Sequence, residues 1–126
     1  MTEGPGGTGE RDRVSEGDGD LSDLTLRDVL AEAAAGLPGV AARTADELTT
    51  WAVGPAVFAT LVGDRAEFRL DPLVAGAALR TPDTAPSPRG SDWIVFAPAI
   101  LDDHGVDRAE AWFLSAQRRA AASGRS

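Results

Sequence analysis

Two residues, Gly63-Asp64, separate two strand-like runs, the apolar-rich Ala56–Val62 and the alternating Arg65–Leu70, and this spacing leaves few folds open. A two-residue loop matches the twist of paired strands when it forms a type II′ turn, whose first position needs the positive φ that glycine accepts. Once the loop is fixed, the register follows. Leu61 faces Ala66, Ala59 faces Phe68 and Val57 faces Leu70 on one side, expected to be buried; Thr60 lies opposite Glu67 and Phe58 opposite Arg69 on the other. The chain must therefore build an antiparallel sheet with one face as core.

The elements around this hairpin can be read from their punctuation. Another strand is expected over Glu47–Val53, set off by Gly54-Pro55. Before it, Thr25 can cap a helix, with Asp28 at the third helical position and Leu24 placed to staple onto Val29. The apolar stripe Leu26, Val29, Leu30, Ala33, Ala34 and Leu37 has helical spacing, and Gly36 with Pro38-Gly39 ends it. After the hairpin, Asp71 and Pro72 start a short helix, expected to pack through Leu73, Val74, Ala77 and Ala78. Thr81–Ser91 contains Pro82, Pro86 and Pro88 and reads as a long irregular loop, the most mobile part of the fold. A strand over Trp93–Ala97 follows. The last helix is expected from Asp107, with Glu110 at its third position and Val106 against Ala111, continuing through Trp112, Leu114, Ser115 and Arg118-Arg119.

Residues 1–20 hold six glycines, six acids and only Met1 and Val14 as apolar residues, too few to offset the entropy of ordering. They read as a disordered acidic tail, a solubilising extension. The expected organisation is this tail, one α+β domain over 21–122, and a frayed 123–126. The net charge of -8 divides evenly: residues 1–20 contribute -4 and residues 21–126 another -4. Such a balance repels phosphate backbones at long range, so nucleic-acid binding would need a local basic patch. All twelve basic residues are arginine. There is no cysteine, which excludes disulfides and thiolate chemistry. The first residues form neither a basic nor an apolar signal region, and no apolar run approaches 18 residues; a cytoplasmic protein without membrane contact is expected.

Catalytic signatures are sparse. Asp102-Asp103-His104-Gly105-Val106-Asp107 gathers the only histidine with carboxylates, but adjacent residues seldom converge on one ion, and the segment reads as a solvated turn before a helix rather than a metal site. Ser87, Ser91 and Ser115 lack a nucleophile elbow, and no phosphate loop or dinucleotide fingerprint follows a strand. No catalytic residue, metal or cofactor is expected. Four arginines, Arg65, Arg69, Arg80 and Arg89, could form a basic wing if the hairpin and the proline segment lean the same way, with Trp51, Phe58 and Trp93 as stacking or ligand-facing aromatics. Against that stands the pairing of Arg65 and Arg69 with Glu67, Asp64 or Asp71 in surface ion pairs.

The order of parts has a family resemblance. A helix ending Leu37-Pro38-Gly39-Val40, the run Trp51–Leu61, then Phe68-Arg69-Leu70-Asp71-Pro72 into a short helix, and Gly90-Ser91-Asp92-Trp93-Ile94-Val95 before a closing helix resemble the MmcQ/YjbR family over roughly 24–120. The resemblance implies a frataxin-like α+β fold, an antiparallel sheet packed against its N- and C-terminal helices. It also implies a non-catalytic DNA-binding role, with a positive charge kept at Arg69. The alternative partner is a protein or small ligand on the exposed sheet face around Phe58 and Trp51. Oligomeric state is left open.

Overall fold

A computed structural model describes residues 24–124. The chain runs α1 (Leu26–Ala35), β1 (Val40–Ala45), β2 (Leu48–Val53), β3 (Ala56–Val62), β4 (Arg65–Arg69), α2 (Pro72–Ala78), β5 (Thr84–Ser87), β6 (Gly90–Phe96) and α3 (Asp103–Gly124). The strands form one six-stranded sheet in the order β1-β2-β3-β4-β6-β5, with every neighbouring pair antiparallel. The fold is thus α+β, with the antiparallel sheet that the hairpin spacing calls for. The acidic segment 1–20 lies outside the described residues.

The local signals act as read at several points. Thr25 Oγ1 accepts from the Asp28 N–H at 3.1 Å while Asp28 Oδ2 accepts from the Thr25 N–H at 3.1 Å, a reciprocal capping box. Gly63 takes φ +60°, and β3 pairs with β4 in the expected register, Ala59 with Phe68, Thr60 with Glu67 and Leu61 with Ala66. Asp71 Oδ1 accepts from the Leu73 N–H at 2.9 Å, and Pro72 opens α2.

The core lies on one face of the sheet. Ala66 pairs with Phe96 and Phe68 with Ile94 across β4 and β6, so these four side chains share a face. The rings of Phe68 and Phe96 meet Trp112 of α3, with centroids 6.2 and 5.2 Å away. Further along α3, Phe113 stands edge-on to Trp51 and Phe58 at 5.5 and 5.1 Å. All three helices feed this cluster: Leu26, Val29 and Leu30 from α1, Ala75 and Ala78 from α2, and Ala109 to Ala120 from α3. Each large side chain removed from water contributes about 1.5–3 kcal/mol, and offset or edge-on ring pairs add about 0.5–1.5 kcal/mol.

Several expectations need correction. Phe58 is 1% exposed and Trp51 2%, so neither lies on an open face, whereas Val57 is 38% exposed. The cause is a bulge: β2 pairs Trp51 with Ala59 but Ala52 with Val57, leaving Phe58 as the extra residue. A bulge re-aims one side chain, and here it turns Phe58 onto Phe113. The proline segment is not an irregular loop, since Thr84–Ser87 pairs with β6 as an edge strand. An edge tolerates proline because no second neighbour needs its N–H. Val40–Ala45 is a strand that was not expected. In α2 the buried residues are Ala75 and Ala78, and Leu73 is 86% exposed. Finally, α3 starts at Asp103 rather than Asp107. Asp102 Oδ1 accepts from the Gly105 N–H at 2.8 Å and the Asp102 carbonyl from the Val106 N–H at 2.9 Å, which supplies the cap one turn earlier.

Among the described residues no helix is long and apolar enough to cross a membrane.

Candidate functional site

On the face away from the helices, Thr60, Glu67 and Val95 stand in line across β3, β4 and β6. Val95 is buried but does not belong to the helix-side cluster. Glu67 is the chemically unusual member, a carboxylate on the middle of a sheet with only 9% of its surface exposed. Its oxygens accept from Thr60 Oγ1 at 3.1 Å, Ser87 Oγ at 2.7 Å and Arg89 Nε at 2.7 Å. Burial pushes the Glu67 pKa up, but the Arg89 and Ser87 hydrogen bonds, the Arg89 charge and the Thr60 hydroxyl together outweigh it. The carboxyl ends below its ordinary 4.5 and is ionised at neutral pH.

The sequence builds this site from three separate places. The Gly63-Asp64 register brings Thr60 opposite Glu67. The tight β5–β6 turn brings Ser87 and Arg89 over them, and the Arg89 N–H donates back to Ser87 Oγ at 3.1 Å. Gly90 takes φ +156° at this turn. Trp93, half-buried on β6, then lies under the guanidinium of Arg89, whose central carbon is 5.4 Å from the ring centroid. Arg89 is therefore held from behind by a carboxylate and from one side by a ring. A hollow of about 290 Å³ opens beside it, lined by Thr60, Val62, Arg65, Glu67, Pro88 and Arg89. Arg65 is exposed and makes no ion pair among the described residues.

The four candidate arginines do not form one wing. Arg65 and Arg89 come together at the hollow, but Arg69 is engaged elsewhere. Its Nε donates to Asp92 Oδ2 at 3.0 Å, and Nη1 of Arg119 on α3 donates to the same oxygen at 3.0 Å. The Arg69 hydrogen bond, helped by Arg119 and working against burial, holds the Asp92 carboxyl below its ordinary range. Arg80 stands exposed just past α2, its N–H donating to the Ala77 carbonyl, and does not line the hollow. The expected ion pairs are corrected too: Glu67 takes Arg89, and Arg69 takes Asp92. Of the three aromatics, only Trp93 reaches the site.

Other features offer less chemistry. A larger hollow of about 350 Å³ lies between the start of α1 and residues 98–101, and among the described residues that line it only Asp64 is ionisable. His104 lies exposed in the first turn of α3, and among the described residues no group of three or more His, Cys, Asp or Glu side chains is placed to hold a metal ion. Glu67 and Ser87 were not singled out from sequence as site residues. The available signal was Thr60 opposite Glu67, which puts a carboxylate between flanking strands and calls for nearby donors.

Comparison with known proteins gives no matching family model, no matching curated protein and no matching solved structure.

Proposed function

We propose that this protein is a non-catalytic binding module that takes phosphate-bearing ligands, DNA foremost, on the helix-free face of its sheet. The observation that carries this reading is the convergence of Arg65 and Arg89 on one hollow, with Arg89 positioned by Glu67 and Trp93. A guanidinium held in advance loses less freedom on meeting a phosphate oxygen, and Arg presents its donors as a planar fork. Trp93 offers the adjoining apolar surface for a base or sugar. The resemblance to the MmcQ/YjbR family, in Phe68-Arg69-Leu70-Asp71-Pro72 and Gly90–Val95, supports the same reading, with a frataxin-like arrangement and a cytoplasmic setting. The role proposed for Arg69 changes, from phosphate contact to a link between β4 and Asp92 of β6, which also binds Arg119 of α3.

Fluorescence anisotropy of labelled single-stranded and duplex DNA, titrated with the full chain at low and near-physiological salt, tests the proposal. Binding is expected to weaken steeply with salt and to fall on Arg65→Ala or Arg89→Ala, because each phosphate contact adds to the salt slope. Absence of binding at low salt, where such contacts are strongest, sinks the DNA reading.

A second reading is favoured by the size of the hollow: about 290 Å³ suits a small anion-bearing ligand, near the lower end of ligand pockets. Inorganic phosphate or a mononucleotide that quenches Trp93 fluorescence, together with no DNA binding, would select it.

A further inference from the structure

The two edges of the sheet are built differently. β5 has four residues, includes Pro86 and breaks register between Pro86 and Ser87. Proline lacks an N–H and a bulge interrupts the ladder, so this edge offers little to another strand. β1 has six residues, no proline, and pairs with β2 residue for residue from Val40–Val53 to Ala45–Leu48. All its residues except Val40 are exposed, and the helices lie instead over β2, β3, β4 and β6. Ala41, Ala42 and Ala45 leave its outer backbone groups within reach of a second strand.

We infer that β1 is the pairing edge for a second copy of this chain, joined antiparallel about a twofold axis near Thr44. Charge placement selects both the partner and the direction. Arg43 lies mid-strand, and Asp46 and Glu47 form the turn that follows. Antiparallel pairing near Thr44 brings the acidic turn of each copy alongside Arg43 of the other, whereas an axis at Arg43 would set the two guanidiniums face to face. The pairing is isologous and closes on itself, because the blocked β5 edge cannot accept a β1 strand and extend the assembly.

Sedimentation velocity of the full chain, from roughly micromolar to hundreds of micromolar concentration, tests this at near-physiological salt. A concentration-dependent dimer is expected. Arg43→Glu sets like charges together and should weaken it about tenfold, while Arg43→Glu with Glu47→Arg restores it. Both positions are exposed, so the fold should be unaffected, which far-UV circular dichroism checks. A monomer throughout overturns the proposal. A dimer indifferent to Arg43→Glu places the interface elsewhere, and one that the charge swap fails to restore overturns the antiparallel register.

Discussion

On the helix-covered face, Phe113 holds Trp51 and Phe58, and Trp112 holds Phe68 and Phe96, by contact alone. On the opposite face, Glu67 draws Thr60, Ser87 and Arg89 together through directed bonds of 2.7 to 3.1 Å. Burial of apolar surface is non-directional and grows with area, so the first face contributes stability that depends mainly on volume. The second gains little net stability, since its hydrogen bonds replace bonds to water, but it fixes where each polar atom points. One sheet thus separates cohesion from orientation.

The largest effect should come from breaking the first face. Phe113→Ala removes the ring that two others lean on and is expected to cost about 3–5 kcal/mol in urea unfolding. If it costs as little as a surface change, the aromatic cluster is not the source of cohesion. Glu67→Ala should cost less, about 1–3 kcal/mol, mainly by leaving Ser87, Thr60 and Arg89 without their acceptor. Its effect on binding is the sharper test. Removing an acid from a phosphate-binding surface would by charge alone tighten DNA binding, whereas loss of Arg89 positioning weakens it. Tighter binding by the variant would remove Glu67 from the site as a positioning residue.

A smaller effect is expected from pH. The folded pKa of Glu67 lies below its ordinary 4.5, so its contribution to stability is complete above that value and is lost as pH falls through the folded pKa. Glu67→Gln should flatten the acid limb of a stability profile relative to the native chain; identical limbs would mean the carboxylate gains nothing from folding. Arg65→Ala should alter stability least, within about 0.5 kcal/mol, because Arg65 has no ion-pair partner among the described residues. Its signature is confined to ligand affinity and the salt slope.

Much of this architecture was legible where a residue type had one physical use. Gly63 fixed a register, Thr25 with Asp28 fixed a helix start, and Asp71-Pro72 fixed another. Legibility failed where the pattern depends on distant partners. Ala41-Ala42-Arg43-Thr44-Ala45 is exposed on both sides and so lacks the alternation that marks a half-buried strand. Pro86 reads as a loop residue unless the segment is known to be an edge. The bulge at Phe58 reverses a side chain without leaving a glycine or proline as a sign. At the candidate site, Arg89 and Trp93 were visible as charge and ring, but the Ser87 and Thr60 hydroxyls acquire meaning only once three strands meet around Glu67.

The strand order also bears on how the chain comes together during synthesis. β1 to β4 are joined by tight turns, and their pairings need only neighbouring residues, whereas β4 must wait for β6, which pairs Ala66 with Phe96. Contacts close in sequence form early, and distant ones form late. A growing chain that has reached Arg69 can already zip four strands, yet Trp51, Phe58 and Phe68 lack their ring partners until Trp112 and Phe113 emerge. The last helix is therefore the step that ends the nascent chain's exposure to aggregation, and the interval before it is when a chaperone has the most surface to hold.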